Sequence, residues 1–510
     1  MIMLVVASCN DQHFLRNTPK SIDAFELLRA KGFEVSDAQL QECMSNLLAR
    51  SRDSIAADRF THQYYDGKQS WVWVNRKGVS EQASQFLSYL REQVPQLGFS
   101  SRAFYLDTIA ADLERMETLQ FDTSLYNINK VMARLEYHLT KAYLRYTLGQ
   151  RYGFVNPRRL FNRLDASHTD TLGRPLGYAL LYDVDVELAP NDFAQRALRQ
   201  VCPDSLEAYL SDIQPHDSLY YRLLRQLPQA QGDAAQQKRL MANIERRRWR
   251  ERQRPADRFL IVNVPAFHLW AVTPDSAIDM RIACGAVKTK TPLLNSRITY
   301  MQVNPEWIIP TSIVQKDVSR HAGDSAYFAR NNYYIEDKAT GEHLDPVAVS
   351  KEMLLSGKYR VAQKSGVGNS LGRLIFRFQN KFSVYLHDTS SPGVFSRLNR
   401  AVSHGCVRVQ QPFRLARLLL GDVDDWTLDK IRISIGMRPE TEQGHDYVLA
   451  HAADEEPPRP IRSHGISPSM PLFITYQTLF QNPVSGVLEV YPDVYGYDTA
   501  LMRALRIYTN

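Results

Sequence analysis

Ser403-His404-Gly405-Cys406-Val407-Arg408, with Val384-Tyr385-Leu386-His387-Asp388-Thr389 shortly upstream, is the stretch around which the 510-residue chain is organised. A thiol attacks a carbonyl as its thiolate and has a free pKa of about 8.5, so a neighbouring imidazole must lower that value or take the proton. Cys406 has two candidate partners, His387 and His404. His387 closes a short β-type run and lies 19 residues before the cysteine, room for a loop that returns the chain to its own strand end. His404 sits too close to Gly-Cys to reach far, so His387 is read as the base and His404 as a loop residue. Glycine leaves the backbone bare, so the amides of Gly405 and Cys406 can face a developing oxyanion, with the Tyr385 hydroxyl as a further donor. Arg408 can hold a carboxylate through two parallel hydrogen bonds, whether from a substrate or from the protein. The plain alternative is a buried structural cysteine; Ser403, His404 and Arg408 around Gly-Cys weigh against it. A second copy of the tripeptide, Ser463-His464-Gly465, lacks the thiol and is given no function.

A histidine followed by SHGC-x-R resembles the catalytic signature of the L,D-transpeptidases (the YkuD domain), which remodel peptidoglycan with a cysteine. The likeness to the large YcbB-type members extends over Asn263-Val264-Pro265-Ala266-Phe267, Asn304-Pro305-Glu306-Trp307, Gly368-Asn369-Ser370-Leu371-Gly372-Arg373 and Asp493-Val494-Tyr495-Gly496-Tyr497-Asp498. It is weaker in the first half, where Leu144-Arg145-Tyr146 and Tyr152-Gly153-Phe154-Val155-Asn156-Pro157 are similar to the helical scaffold of those enzymes. Many such proteins carry a peptidoglycan-binding module; here only residues 225–240 separate Tyr220-Tyr221-Arg222-Leu223-Leu224 from Met241-Ala242-Asn243-Ile244-Glu245, which leaves no room for one. Wall targeting then falls to the scaffold, the active-site groove or a membrane anchor.

The formal charge of +7 suits an anionic partner such as a wall, a phospholipid face or nucleic acid. The cations are dispersed, however, and the one cluster, Arg246-Arg247-Arg248-Trp249-Arg250, reads as a helix end, so no nucleic acid is expected. Cysteines at 9, 43, 202, 284 and 406 show neither close pairs nor metal-ligand spacing, so no metal or other cofactor is expected and Cys43, Cys202 and Cys284 are taken as unpaired. The opening Met-Ile-Met-Leu-Val-Val-Ala-Ser lacks a basic flank and is too short to span a bilayer, which needs about 20 residues. Val6-Ala7-Ser8-Cys9 nonetheless looks like a lipobox with Cys9 as the lipidated residue, against a trimmed secretory signal or an apolar first strand.

The expected fold class is α+β. Residues 1–20 are read as leader and linker and 21–245 as a helical scaffold domain. Leu135, Leu139, Tyr143 and Tyr146 recur every three or four residues, predicting a long helix with one buried face that ends at Gly149 and Gly153. The tyrosines of that stripe are read as core. Residues 246–437 form the catalytic domain, with short β-branched and aromatic runs separated by Pro, Gly and Asp that predict a mainly antiparallel sheet. The resemblance implies a β-sandwich and makes 313–372 a capping insertion over the substrate groove. Pro412 opens a helix that Gly421 closes, expected to brace the cysteine loop. Residues 438–470 read as a linker and 471–510 as a terminal hairpin and helix completing the catalytic domain.

By resemblance, the function is an acyl transfer between peptidoglycan stem peptides: a donor tetrapeptide acylates Cys406 as a thioester, D-alanine leaves, and the amine of an acceptor stem forms a 3→3 cross-link. Asp388 is not expected to act as a triad acid, since a backbone carbonyl usually orients the histidine in this family. Asn304 and Trp307 are candidate groove residues, packing being the stronger role for the tryptophan. The enzyme would be exported to the periplasm and lipid-anchored. A cysteine hydrolase or L,D-carboxypeptidase would use the same residues, and an inert wall-binding scaffold is a third reading, disfavoured because binding needs no thiol and base.

Overall fold

The structure, a computed structural model, describes residues 33–510 apart from 52–53, 68, 76–77 and 254. The leader and Cys9 lie outside the described residues. The chain divides into two compact units, one of residues 1–160, 186–252 and 498–510, the other of 161–185 and 253–497.

The first unit is helical. Its elements include α1 (Glu81–Gln96), α2 (Ile128–Tyr152), α3 (Leu206–Asp212), α4 (Ser218–Gln226), α5 (Ala234–Arg248) and α6 (Tyr497–Thr509). Helix α2 starts where the Asn127 side chain accepts from the Asn129 N–H, and it is buried on nearly every side. A helix apolar or paired all round belongs in a centre, not on a surface. Tyr143 and Tyr146 are wholly buried, and the Tyr143 hydroxyl donates to the Ala197 carbonyl at 2.8 Å. Charges this deep must be paired: Arg145 forks onto Asp58 at 2.7 and 2.8 Å. Gly149 does not end the helix; a Cβ there would lie 2.2 Å from the Phe154 ring, so glycine is what lets that ring lie against α2. The arginine cluster ends α5, as expected, and is used internally: Arg246 pairs with Asp498 at 2.7 Å, Arg247 with Asp217 and Arg248 with Glu245 at 3.1 Å.

Two sequence boundaries move. Helix α6 was grouped with the catalytic half, but from Asp498 on it belongs to the helical unit, where Tyr508 packs on Phe99, Phe104 and Phe154. Residues 161–185 leave the scaffold for the second unit, where Tyr182 and Asp183 add to its sheet.

The second unit is built on β1 (Phe259–Asn263), β2 (His268–Val272), β3 (Ala277–Gly285), β4 (Leu293–Val303), β5 (Leu374–Phe378), β6 (Leu386–His387), β7 (Val407–Val409) and β8 (Ser463–Thr475). The α+β organisation therefore holds, and most of the pairings are antiparallel. In place of two facing sheets, however, the order β5-β6-β7-β3-β2-β1-β8-β4 closes on itself through a β4–β5 pairing. The 11-residue β4 makes this possible, pairing with β8 along one edge and β5 along the other. Closure leaves no open edge along that ring. The helix Pro412–Leu420 forms as expected and contacts β8.

Between β4 and β5 the insertion folds as its own small subdomain. A four-stranded sheet, from Trp307–Ile308 to Tyr359–Gln363, packs on a core of Ile309, Val314, Phe328, Ile335 and Val361, among others. The stretch read as a linker is instead anchored. Asp429 accepts from the Glu440 and Thr441 N–H groups and the Thr441 hydroxyl, which hold its carboxyl down at about 2 against the opposing effect of burial. A helix, Glu442–Ala450, follows before the chain enters β8.

Candidate active site

Strands β6 and β7 are only two and three residues long, yet they set the chemistry. They run parallel with Leu386 beside Val407 and His387 beside Arg408, and the Val407 N–H donates to the Tyr385 carbonyl at 3.1 Å. Side chains alternate along a strand. Leu386 and Val407 enter the core, so Tyr385, His387, Cys406 and Arg408 emerge together on the opposite face. The register thus unites the sequence's nucleophile and base.

His387 is buried, and its Nδ1 lies 3.3 Å from the Leu371 carbonyl. A carbonyl can only accept, so Nδ1 carries the hydrogen and Nε2 is left as the proton acceptor. Leu371 is itself fixed, its N–H donating to Asn369 Oδ1 at 2.8 Å. Asp388 does not touch the imidazole; its Oδ2 accepts from the Arg373 N–H at 2.9 Å and so ties down the turn that presents Leu371.

Burial, with the Arg408 charge adding to it, pushes the His387 pKa down to about 4. Burial pushes the Cys406 thiol up, against the pull of the Tyr385 backbone and of Arg377 and Arg408. The resting pair is neutral thiol and neutral imidazole. Of the two options the sequence left, the imidazole takes the proton on attack; it does not hold a standing thiolate.

The cysteine loop is held by side chains the sequence reading missed. Gly405 has φ +119°, a conformation L side chains rarely adopt. Its carbonyl accepts from Thr291 Oγ1 at 2.8 Å, so the Cys406 N–H, on the same trans peptide, points the other way and is free of Thr291. The Gly405 N–H is not free in that sense. It donates to Ser403 Oγ at 3.1 Å, while Ser403 donates to the Cys406 carbonyl at 2.6 Å. Of the two expected backbone donors, Gly405 is therefore engaged in bracing the loop. Thr291 is fixed in turn: its hydroxyl accepts from the Gly285 N–H at 2.8 Å, and its own N–H donates to the Tyr495 hydroxyl at 3.1 Å. Nothing in Lys288-Thr289-Lys290-Thr291 signals this in the sequence.

The Tyr385 ring lies under the Arg377 guanidinium, 4.3 Å from its centroid. Burial, with Cys406 adding to it, pushes its hydroxyl pKa up, so the phenol stays protonated and able to donate. Arg408 has no carboxylate partner among the described residues, and its Nε is buried without an acceptor. His404 is exposed. Asn304, at φ +49°, donates its N–H to the Arg373 carbonyl at 2.6 Å, and its Oδ1 is buried without a partner. Trp307 pairs with Gln363 and packs on the core of the inserted subdomain, not in the cluster around Cys406.

Residues 257–435, which include His387 and Cys406, match the family of L,D-transpeptidase catalytic domains, YkuD. Residues 58–227 match a family described as the Scaffold domain. A Haemophilus influenzae protein named "Putative L,D-transpeptidase" is 29% identical over 314 residues, which are 60% of this chain and 58% of that protein.

Proposed function

Starting from a catalytic unit that belongs to the YkuD family of L,D-transpeptidase domains, we propose that the chain joins peptidoglycan stem peptides through a thioester on Cys406. The observation that carries this is the β6–β7 register: it brings a thiol and an imidazole to one face, and a carbonyl behind the imidazole sets its tautomer.

As the sulfur bonds to the donor carbonyl on the L-centre of the diamino acid, the thiol proton passes to His387 Nε2. The Cys406 N–H and the Tyr385 hydroxyl face the resulting oxyanion. The amide C–N bond then breaks, and D-alanine leaves with the proton from the imidazolium. An imidazolium of pKa about 4 is a strong acid, suited to protonating a poor amine leaving group. The acceptor amine attacks the thioester and yields its proton to His387; the C–S bond breaks and the thiolate takes that proton back. Arg408, lacking an internal carboxylate among the described residues, is the group to bind a carboxylate of the stem peptide. Such a substrate lies outside the cytoplasm, so the protein acts there; the periplasmic, lipid-anchored location through Cys9 belongs to the same proposal.

Incubating the purified protein with disaccharide-tetrapeptide tests this. Cross-linked dimers with release of D-alanine are expected. Tripeptide monomers alone would show water as the acceptor and make the enzyme a hydrolase or carboxypeptidase. An unchanged substrate would leave a wall-binding scaffold.

A further inference from the structure

We infer that the helical unit carries a cleft for an uncharged oligosaccharide, between α1, α3 and α4. The cavity has a volume of about 1040 Å³, at the upper end of small-ligand sites.

Its first wall is a stripe on α1. Gln85, Tyr89, Gln93 and Gln96 recur at intervals of four, four and three and so share one helix face. At 1.5 Å per residue the stripe runs about 16 Å, the reach of a short oligomer and more than a single ring needs. None of the three glutamine side chains makes a hydrogen bond to a described residue, so their amides, each with donors and an acceptor, are available to a ligand.

The aromatic groups present ring surface while two of their hydroxyls are held by the protein. The Tyr89 hydroxyl bonds that of Tyr146 at 2.9 Å, and the Tyr220 hydroxyl donates to Gln150 Oε1 at 3.2 Å. Tyr221, 41% exposed, stands edge-on to Tyr220 at 5.2 Å and offers its ring at the mouth. Phe86, Leu206 and Leu210 make the floor apolar.

Flat rings alternating with unpaired amides fit a pyranose chain, whose C–H faces stack on aromatics and whose hydroxyl and acetamido groups need both donors and acceptors. A fatty chain would leave those amides unsatisfied on binding. The charged lining is one acid, Glu207, and one base, Arg225, which selects no net charge in the ligand. Sugar as the ligand class follows from this lining; that the sugar is wall glycan rests on the acyl-transfer proposal.

The test is calorimetric titration of the full chain carrying Cys406→Ala with chitotetraose, a neutral chain of N-acetylglucosamine, and separately with decanoate. Saturable chitotetraose binding is expected, weakened at least tenfold by Tyr221→Ala and by Gln93→Ala, both rim positions whose variants are checked for native circular dichroism. With Cys406 intact, Tyr221→Ala should leave cross-linking of soluble disaccharide-tetrapeptide within twofold. No chitotetraose binding, binding unchanged in both variants, or decanoate binding in its place would overturn the inference. Sugar binding without any acyl transfer would support the cleft while removing the proposed function, so the two failures are distinct.

Discussion

Ser-His-Gly occurs twice in this chain, and the two copies share nothing but their letters. At 403–405 the serine is buried and bridges Gly405 and Cys406, and the glycine turns the backbone at φ +119°. At 463–465 the same residues lie along β8, Ser463 opposite Gln302 and His464 opposite Met301, with Ser463 exposed and Gly465 in ordinary extended backbone. One copy is a turn that aims an amide; the other is a stretch of ladder. What separates them is the neighbour in space: Thr291 accepts the role of anchor for the first loop, and nothing lies within 4 Å of a Cβ built on Gly465. Motif letters gain chemistry only where the surrounding fold bends them.

The largest effect that tests this contrast is at the thiol that only the first copy carries. Cys406→Ala and Cys406→Ser should abolish cross-linking with the fold intact, whereas His464→Ala should leave the rate unchanged, both measured by product chromatography. Full activity in Cys406→Ala would end the comparison as a statement about catalysis.

Next comes the base. His387→Ala should lower turnover by about 10²- to 10⁴-fold. The competent form is the neutral imidazole, and its folded pKa of about 4 lies below the ordinary 6.5. Activity should therefore persist as pH falls past 6 and fail only towards 4. Over the same window the unfolded chain binds the extra proton, so stability falls as pH drops from 6.5 to 4. Alkylation of Cys406 by iodoacetamide should be slow at neutral pH and accelerate only above pH 9, since burial raises the thiol above its ordinary 9.0. An acid limb near 6.5, or rapid alkylation at neutral pH, would point to a standing thiolate–imidazolium pair.

How much of this was legible beforehand depended on whether a function resides in a side chain or in the backbone and register. Cys406 and His387 were readable because each brings its own reactive atom to a short motif. Leu371 contributes a carbonyl and Thr291 a single hydroxyl through a contact 114 residues away, and no residue type announces either. Asp388 looks like a triad acid in the letters, and only the turn it anchors shows otherwise. Strand runs were visible from their β-branched residues, but closure of the sheet is decided by β4 pairing on both edges, which a local pattern does not encode. The C-terminal helix went to the wrong unit because chain order is a poor guide to which core an aromatic such as Tyr508 will enter.

Gly405→Ala against Gly465→Ala sharpens the comparison at the backbone. Alanine at φ +119° carries strain of about 1–3 kcal/mol, and relief of that strain would rotate the peptide that orients the Cys406 N–H. Cross-linking should fall at least tenfold in Gly405→Ala and stay within twofold in Gly465→Ala. Equal rates in the two variants would mean that the Cys406 amide plays no part in the transition state.

The smallest effect expected is at the serines, and it should appear in stability more than in chemistry. Ser403→Ala removes the acceptor of the Gly405 N–H and one donor to the Cys406 carbonyl, both buried, for a cost of about 1–3 kcal/mol. Ser463→Ala alters an exposed strand position and should stay within about 0.5 kcal/mol. Urea unfolding of both variants measures the difference. A loop that merely needed to be small would tolerate alanine at 403 as readily as at 463. If the midpoints coincide, the Ser403 bridge does not hold the loop, and the bracing falls to Thr291 alone.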